Sequence, residues 1–188
     1  MVSASGSGSE RVIGGIAAGL RAAGVSHCLI SRDGRGLFRR GRLGDGSAID
    51  AAGDATEEQA CVLLASADRI PFLHGFSEAV MIICPGATGG AAFGGRGYVI
   101  TDGERDVPAG LKRLPLISCG SGVKNTVTFS SIRPDGGMIC LQRRINTFSG
   151  RVAEPQEYRF RRFGGDAFVP LAVFAALLIC DCIDDFGG

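Results

Sequence analysis

The last apolar run, Phe168 to Ile183, constrains the fold more than any other stretch. It reads Phe-Val-Pro-Leu-Ala-Val-Phe-Ala-Ala-Leu-Leu-Ile-Cys-Asp-Cys-Ile, and beyond Pro170 only Asp181 carries a charge. Asp166 is placed to cap a helix here, and Pro170 falls near its first turn, where a fixed φ and a missing N–H do no harm. Val169, Val173, Ala176, Leu177 and Cys180 line one face of such a helix, and Leu171, Phe174, Leu178 and Cys182 line another. With both faces apolar, the helix needs cover on most sides. It is shorter than the ~20 residues that cross a bilayer. The expected cover is a β-sheet built by the chain before it.

At 188 residues the chain is long enough to bury a real core, and one domain is expected. A charged fraction of 21% and a hydrophobic fraction of 45% are ordinary for a globular protein. The net charge of +1 argues against nucleic acid as a partner, because neutralising phosphates needs a large basic excess. Met1 to Glu10 has neither the basic start nor the apolar centre of a signal peptide. The seven cysteines are an odd number scattered among apolar neighbours, which reads as buried free thiols in a reducing cytosol, so a cytoplasmic location is expected. Cys180 and Cys182 lack the spacing of a zinc or redox pair, and histidine is limited to His27 and His74, so no metal site is expected.

Residues 1–9 alternate Ser, Gly and Ala and read as a flexible arm, leaving 10–188 as the folded unit. Ser9 then starts a helix with Val12, Ile13, Ile16, Ala17 and Leu20 at 3-4 spacing. Cys28-Leu-Ile and Leu37-Phe38 read as two strands joined by an Asp33-Gly34 hairpin turn. Thr56-Glu-Glu-Gln is a capping box for a second helix carrying Ala60, Leu63, Leu64 and Ala67. Ala79 to Cys84 is a continuous apolar run suited to a central strand, and Gly97 to Thr101 is another strand. Thr126 to Ile132 and Met138 to Ile145 form the clearest hairpin, and Tyr158-Arg-Phe-Arg alternates with its aromatics inward. The sum is an α+β architecture: a central antiparallel β-sheet with N- and C-terminal helices packed on it.

In that order the landmarks resemble a profilin-type fold. The carrying segments are the helix Glu10 to Leu20, Cys28-Leu-Ile-Ser-Arg-Asp-Gly-Arg-Gly-Leu-Phe, Thr56-Glu-Glu-Gln, Phe93-Gly-Gly-Arg-Gly-Tyr-Val-Ile-Thr-Asp-Gly-Glu and the closing apolar helix. The resemblance implies a non-enzymatic actin-binding module that regulates actin monomers and responds to phosphoinositides, with no cofactor. Roadblock and longin domains share this layered design and imply the alternative, a scaffolding subunit of a larger complex. Binding of proline-rich peptides is not expected, since the family uses tryptophan for it and this chain has none. By position, the resemblance assigns partner binding to Lys112, Arg113, Lys124, Arg143, Arg144, Arg159, Arg161 and Arg162. A basic face of this kind suits an acidic partner, because complementary charge raises encounter rates.

Two glycine-rich stretches bear on phosphate chemistry. Gly86 to Gly95 lacks the Gly-Lys-Ser/Thr that reaches phosphate and magnesium, so it reads as a strand connection. Ser118-Cys-Gly-Ser-Gly-Val-Lys offers backbone N–H groups and one lysine to an anion. His27 and Cys28 are adjacent on a strand and point to opposite faces, so they form no dyad; Cys28 with His74 lacks any sequence context for a nucleophile, and no catalytic residues are expected.

Overall fold

The computed structural model describes residues 1–25, 27–32, 37–40, 62–67, 77–88, 93, 95–103, 106–133, 135–161 and 166–183. The chain opens with strand β1 (Val2–Ser5), helix α1 (Ser9–Ala22), β2 (His27–Arg32), β3 (Leu37–Arg40) and β4 (Val62–Ala67). Then come β5 (Glu78–Ile83), β6 (Arg96–Asp102), a 3₁₀ turn (Ala109–Leu111), β7 (Leu116–Cys119), β8 (Val127–Arg133) and β9 (Gly136–Leu141). The short strands β10 (Ile145–Asn146) and β11 (Val152–Ala153), strand β12 (Gln156–Arg161) and helix α2 (Phe168–Ile179) complete it.

Ten of these strands form one sheet in the order β12-β9-β8-β7-β6-β5-β1-β4-β2-β3. Six of its nine neighbouring pairs are parallel, and only β2–β3, β8–β9 and β9–β12 are antiparallel. Helices packed on a sheet hold as the general architecture. The antiparallel, profilin-like sheet does not, and the profilin kinship fails with it. The reason lies in the connections: parallel neighbours need crossovers rather than tight turns, and α1 is the crossover from β1 to β2. The continuous apolar run of β5 fits this arrangement, because a parallel strand is covered on both faces.

Residues expected to be a flexible arm instead supply β1, which runs parallel between β4 and β5 in mid-sheet. Val2 and Ala4 point to one buried face, Ser3 and Ser5 to the other, and all four are nearly inaccessible. The second helix expected from Thr56 onward is strand β4 over Val62–Ala67, and Thr56 to Gln59 lie outside the described residues.

Both helices lie on one face of the sheet. Helix α1 covers β1, β4 and β2, α2 covers β6, β7 and β8, and the two helices touch. All twelve residues of α2 are buried, as its uniform apolarity requires. The helices meet where α1 has no side chains: a Cβ on Gly15 would sit 2.8 Å from Val173 Cγ2, and one on Gly19 would collide with Leu177. Asp166 accepts a 2.9 Å hydrogen bond from the Phe168 N–H, capping α2 as expected. The far end is held by Asp181, at φ 56, which accepts from the Ser149 N–H and the Arg151 Nε, each at 3.1 Å. On the other face of the sheet a smaller cluster of Ala79, Met81, Ile83, Phe93, Val99 and Leu111 closes over β5 and β6. None of the described helices is long and apolar enough to cross a membrane.

Candidate functional site

Parallel topology fixes where a small ligand would meet this sheet. Strands β1, β2 and β4 lie to one side and β5 to β7 to the other, so the strand order reverses between β1 and β5. In open α/β sheets the crevice beyond the carboxyl ends at such a reversal is the usual ligand site. At that position here stands the turn Gly6-Ser7-Gly8, which carries the chain from β1 straight into α1. Gly6 and Gly8 have φ of 100° and 82°, conformations that a side chain resists. Gly6 is packed tightly: an added Cβ would lie 2.7 Å from Pro85 O and from Ala87 N, while the Ser7 N–H donates to Pro85 O at 2.7 Å. Gly8 has open space around it, and Ser7 beside it is exposed. The turn places the positive end of the α1 dipole at this edge, while the Ser9 N–H donates to Gly6 O at 3.2 Å and the Arg11 and Val12 N–H groups donate to Gly8 O at 3.0 and 3.1 Å.

The same edge carries the exits of β6 and β7. Asn125 is wedged against Gly103 and Gly120, where a Cβ would collide with its amide, and its Nδ2 donates to Gly122 O at 3.1 Å. This loop holds the exposed Lys124 on the carboxyl edge, three strand spacings from β1, roughly 14 Å at the usual separation. Opposing charge is present too: Glu10 sits in the first turn of α1, and neither Ser9 nor Glu10 supplies the lysine that follows the last glycine of a P-loop.

A second concavity lies on the antiparallel wing formed by β8, β9 and β12. Strand β8 meets β7 only at Cys119↔Val127, the last residue of one and the first of the other, so the wing runs on past the carboxyl edge. From Val127 to Arg133 that extension is roughly 20 Å. Near its tip a cavity of about 570 Å³ is lined by Ser131, Arg133, Asp135, Gly136, Gly137, Met138, Arg159 and Phe160. Ser131, Met138 and Arg159 stand in one row across the three strands, and Gly136 pairs with Arg133 on one side and with Arg161 on the other. Gly136 has no side chain to fill the space between them. On the opposite face of the wing Tyr158 and Phe160 are buried and stack on Phe174 and Phe129 at ring-centre distances of 4.8 and 5.3 Å, while Ile132 at the tip is exposed.

The residues assigned to partner binding do not form one patch. Lys112 and Arg113 precede β7 at its amino end, and Arg113 donates to Phe93 O at 2.6 Å. Lys124 adjoins Arg143 and Arg144, because the Gln142 N–H donates to Thr126 O at 2.8 Å and ties the two segments together. Arg159 faces the wing cavity, Arg161 is at the end of β12, and Arg162 lies outside the described residues, as does His74. Reading the sequence missed Arg133 and the β1–α1 turn. The available signal for the turn was a short Val-x-Ala strand, two glycines one residue apart and an amphipathic helix directly after.

Among the described residues Cys84 and Cys119 are buried, and burial pushes Cys119 far up; burial, then Cys182, pushes Cys180 up to about 12. Among the described residues no group of three or more His, Cys, Asp or Glu side chains is placed to hold a metal ion.

No family model matches the chain, and no curated protein does. Among solved structures it is similar to a murein peptide ligase, Mpl, of Psychrobacter arcticus 273-4, at 10% identity and a TM-score of 0.49. That similarity covers the whole of this chain and 47% of the ligase, so the chain spans about half the length of that protein, and at this level the similarity assigns no activity.

Proposed function

We propose that the chain is a binding module for a small phosphorylated ligand of nucleotide size, held at the carboxyl edge of the parallel strands without hydrolysis. The observation that carries this reading is the β1–Gly6-Ser7-Gly8–α1 turn at the point where the strand order reverses. Support comes from the open space at Gly8, from the exposed Ser7 and from Lys124 farther along the same edge. The positive end of the helix dipole favours a phosphate there. Binding rather than hydrolysis follows from the residues after Gly8: Ser9 and Glu10 stand where a P-loop has the lysine that reaches the phosphates and the hydroxyl that meets magnesium. Glu10 adds a like charge, so the affinity is expected to be modest.

The test is isothermal titration with ATP, ADP and pyrophosphate against the protein and two variants. Ser7→Asp places a carboxylate at the exposed turn and is expected to weaken binding more than tenfold. Glu10→Gln is expected to strengthen it about two- to fivefold, the effect of one charge in a first helical turn. Absence of any binding at 5 mM ligand, or indifference to Ser7→Asp, would overturn the reading.

A further inference from the structure

The wing cavity is a separate site from the carboxyl-edge turn, and we infer that it takes an extended acidic segment of a partner protein, with acidic side chains at alternate positions. Three observations carry this. The first is the charge and shape of the cavity. Arg133 and Arg159 both line a hollow whose middle, at Gly136, is empty of side chain, with the thioether of Met138 beside it. Arginine's planar fork matches a carboxylate with two parallel hydrogen bonds.

The second is spacing. Arg159 belongs to the row Ser131–Met138, and Arg133 to the row Gly136–Arg161, two residues further along the strands. Residues two apart on a strand share a face, about 7 Å from each other. An added extended segment repeats its own side chains at the same interval, so Glu-x-Glu presents its carboxylates in step with these two rows.

The third is the free border. β12 is the last strand of the sheet, and among the described residues nothing pairs with its outer edge. A segment pairing there gains main-chain hydrogen bonds, and its alternate side chains start one strand spacing from Arg159 and three, roughly 14 Å, from Arg133, a gap that two long side chains extended toward each other must span. Asp135 and Glu157 flank the arginines and repel acidic side chains out of register, which favours one alignment of the segment over its neighbours.

The experiment is fluorescence anisotropy with a labelled peptide of alternating Glu and Val, set against its Lys counterpart and a peptide of equal charge with the glutamates in one block. The alternating acidic peptide is expected to bind, the Lys peptide not to bind, and the block peptide to bind at least fivefold more weakly. Arg133→Glu and Arg159→Glu should each weaken binding at least tenfold, with Arg159→Gln intermediate and Arg143→Glu, a cation outside the cavity, within twofold of the parent. Circular dichroism checks that each variant is folded; if a Glu variant is not, Arg159→Gln and Arg133→Gln decide the matter. Equal losses on Arg143→Glu, no preference for the alternating peptide, or no binding at 1 mM would overturn the proposal. So would phosphatidylserine or phosphoinositide vesicles that bind through the same arginines when the peptide does not. ATP binding at the carboxyl edge is measured in the Arg133 and Arg159 variants and is expected to be unchanged, which separates the two sites.

Discussion

Replacing Gly19 by alanine sets two known effects against each other. In a free helix the change is favourable by about 1 kcal/mol, because glycine is the poorer helix former. In this molecule the new methyl would enter the space that Leu177 occupies on α2. Overpacking of a tight contact costs about 1–3 kcal/mol. The collision is with the end of a side chain, so part of the strain relaxes, and the expected balance is a net loss of about 1 kcal/mol. For a domain of this size that lowers the melting midpoint by about 3 °C. Leu177→Ala alone empties a site that is 1% exposed and should cost about 3 kcal/mol. In the double variant the alanine methyl moves into the vacated space, so the combined loss should fall short of the sum by about 1 kcal/mol or more. Urea denaturation followed by circular dichroism measures all three variants. Stabilisation by Gly19→Ala, together with strict additivity in the double variant, would refute the close approach of the two helices.

Three further outcomes follow. Hydrogen bonds from Thr147, Ser149 and Arg151 outweigh the opposing effect of burial and hold the Asp181 carboxyl below its ordinary value. A depressed carboxylate contributes stability that is present above its unfolded value and lost as pH falls through the folded one, so Asp181→Asn should narrow the gap to the parent below about pH 4 in acid-unfolding curves. Iodoacetamide at pH 8 with peptide mapping should leave Cys84 and Cys119 unlabelled in the folded protein while the half-buried Cys140 is labelled, and early labelling of Cys119 would contradict its burial. Gly137→Ala forces a Cβ into the Ser131 carbonyl, so it should abolish acidic-peptide binding, whereas Gly150→Ala, in open space at a φ of 88°, should leave that binding unchanged.

Much of the fold could be read before any coordinates, and the gaps have physical causes. Helix α2 was legible because no charge interrupts its apolar run before Asp181, and α1 because its 3-4 spacing is clean. The β8–β9 hairpin and the inward aromatics of β12 follow from period-two alternation, which survives wherever one sheet face is partly exposed. Strand β1 was hidden because Val-Ser-Ala-Ser has no apolar run; its small side chains fit a position covered on both faces, and Ser3 Oγ is buried without a hydrogen-bond partner. Strand β4 was misread because Leu63, Leu64 and Ala67 satisfy helical spacing as well as a short buried strand does. Parallel pairing could not be seen from local pattern at all, since it depends on which strands the crossovers bring together. The carboxyl-edge turn was lost with β1, and the wing cavity because Arg133 and Arg159 meet only through the β8–β9–β12 register.

Hydrogen exchange of the amino-terminal segment tests the whole account most directly, because the parallel sheet and its carboxyl-edge turn both depend on where residues 2–5 lie. Paired on both sides by β4 and β5, the amides of Ser3 to Ser5 should exchange as slowly as those of Val80 to Ile82. Exchange of that segment within seconds, while β5 stays protected, would return it to a free arm and remove the site proposed at Gly6 to Gly8.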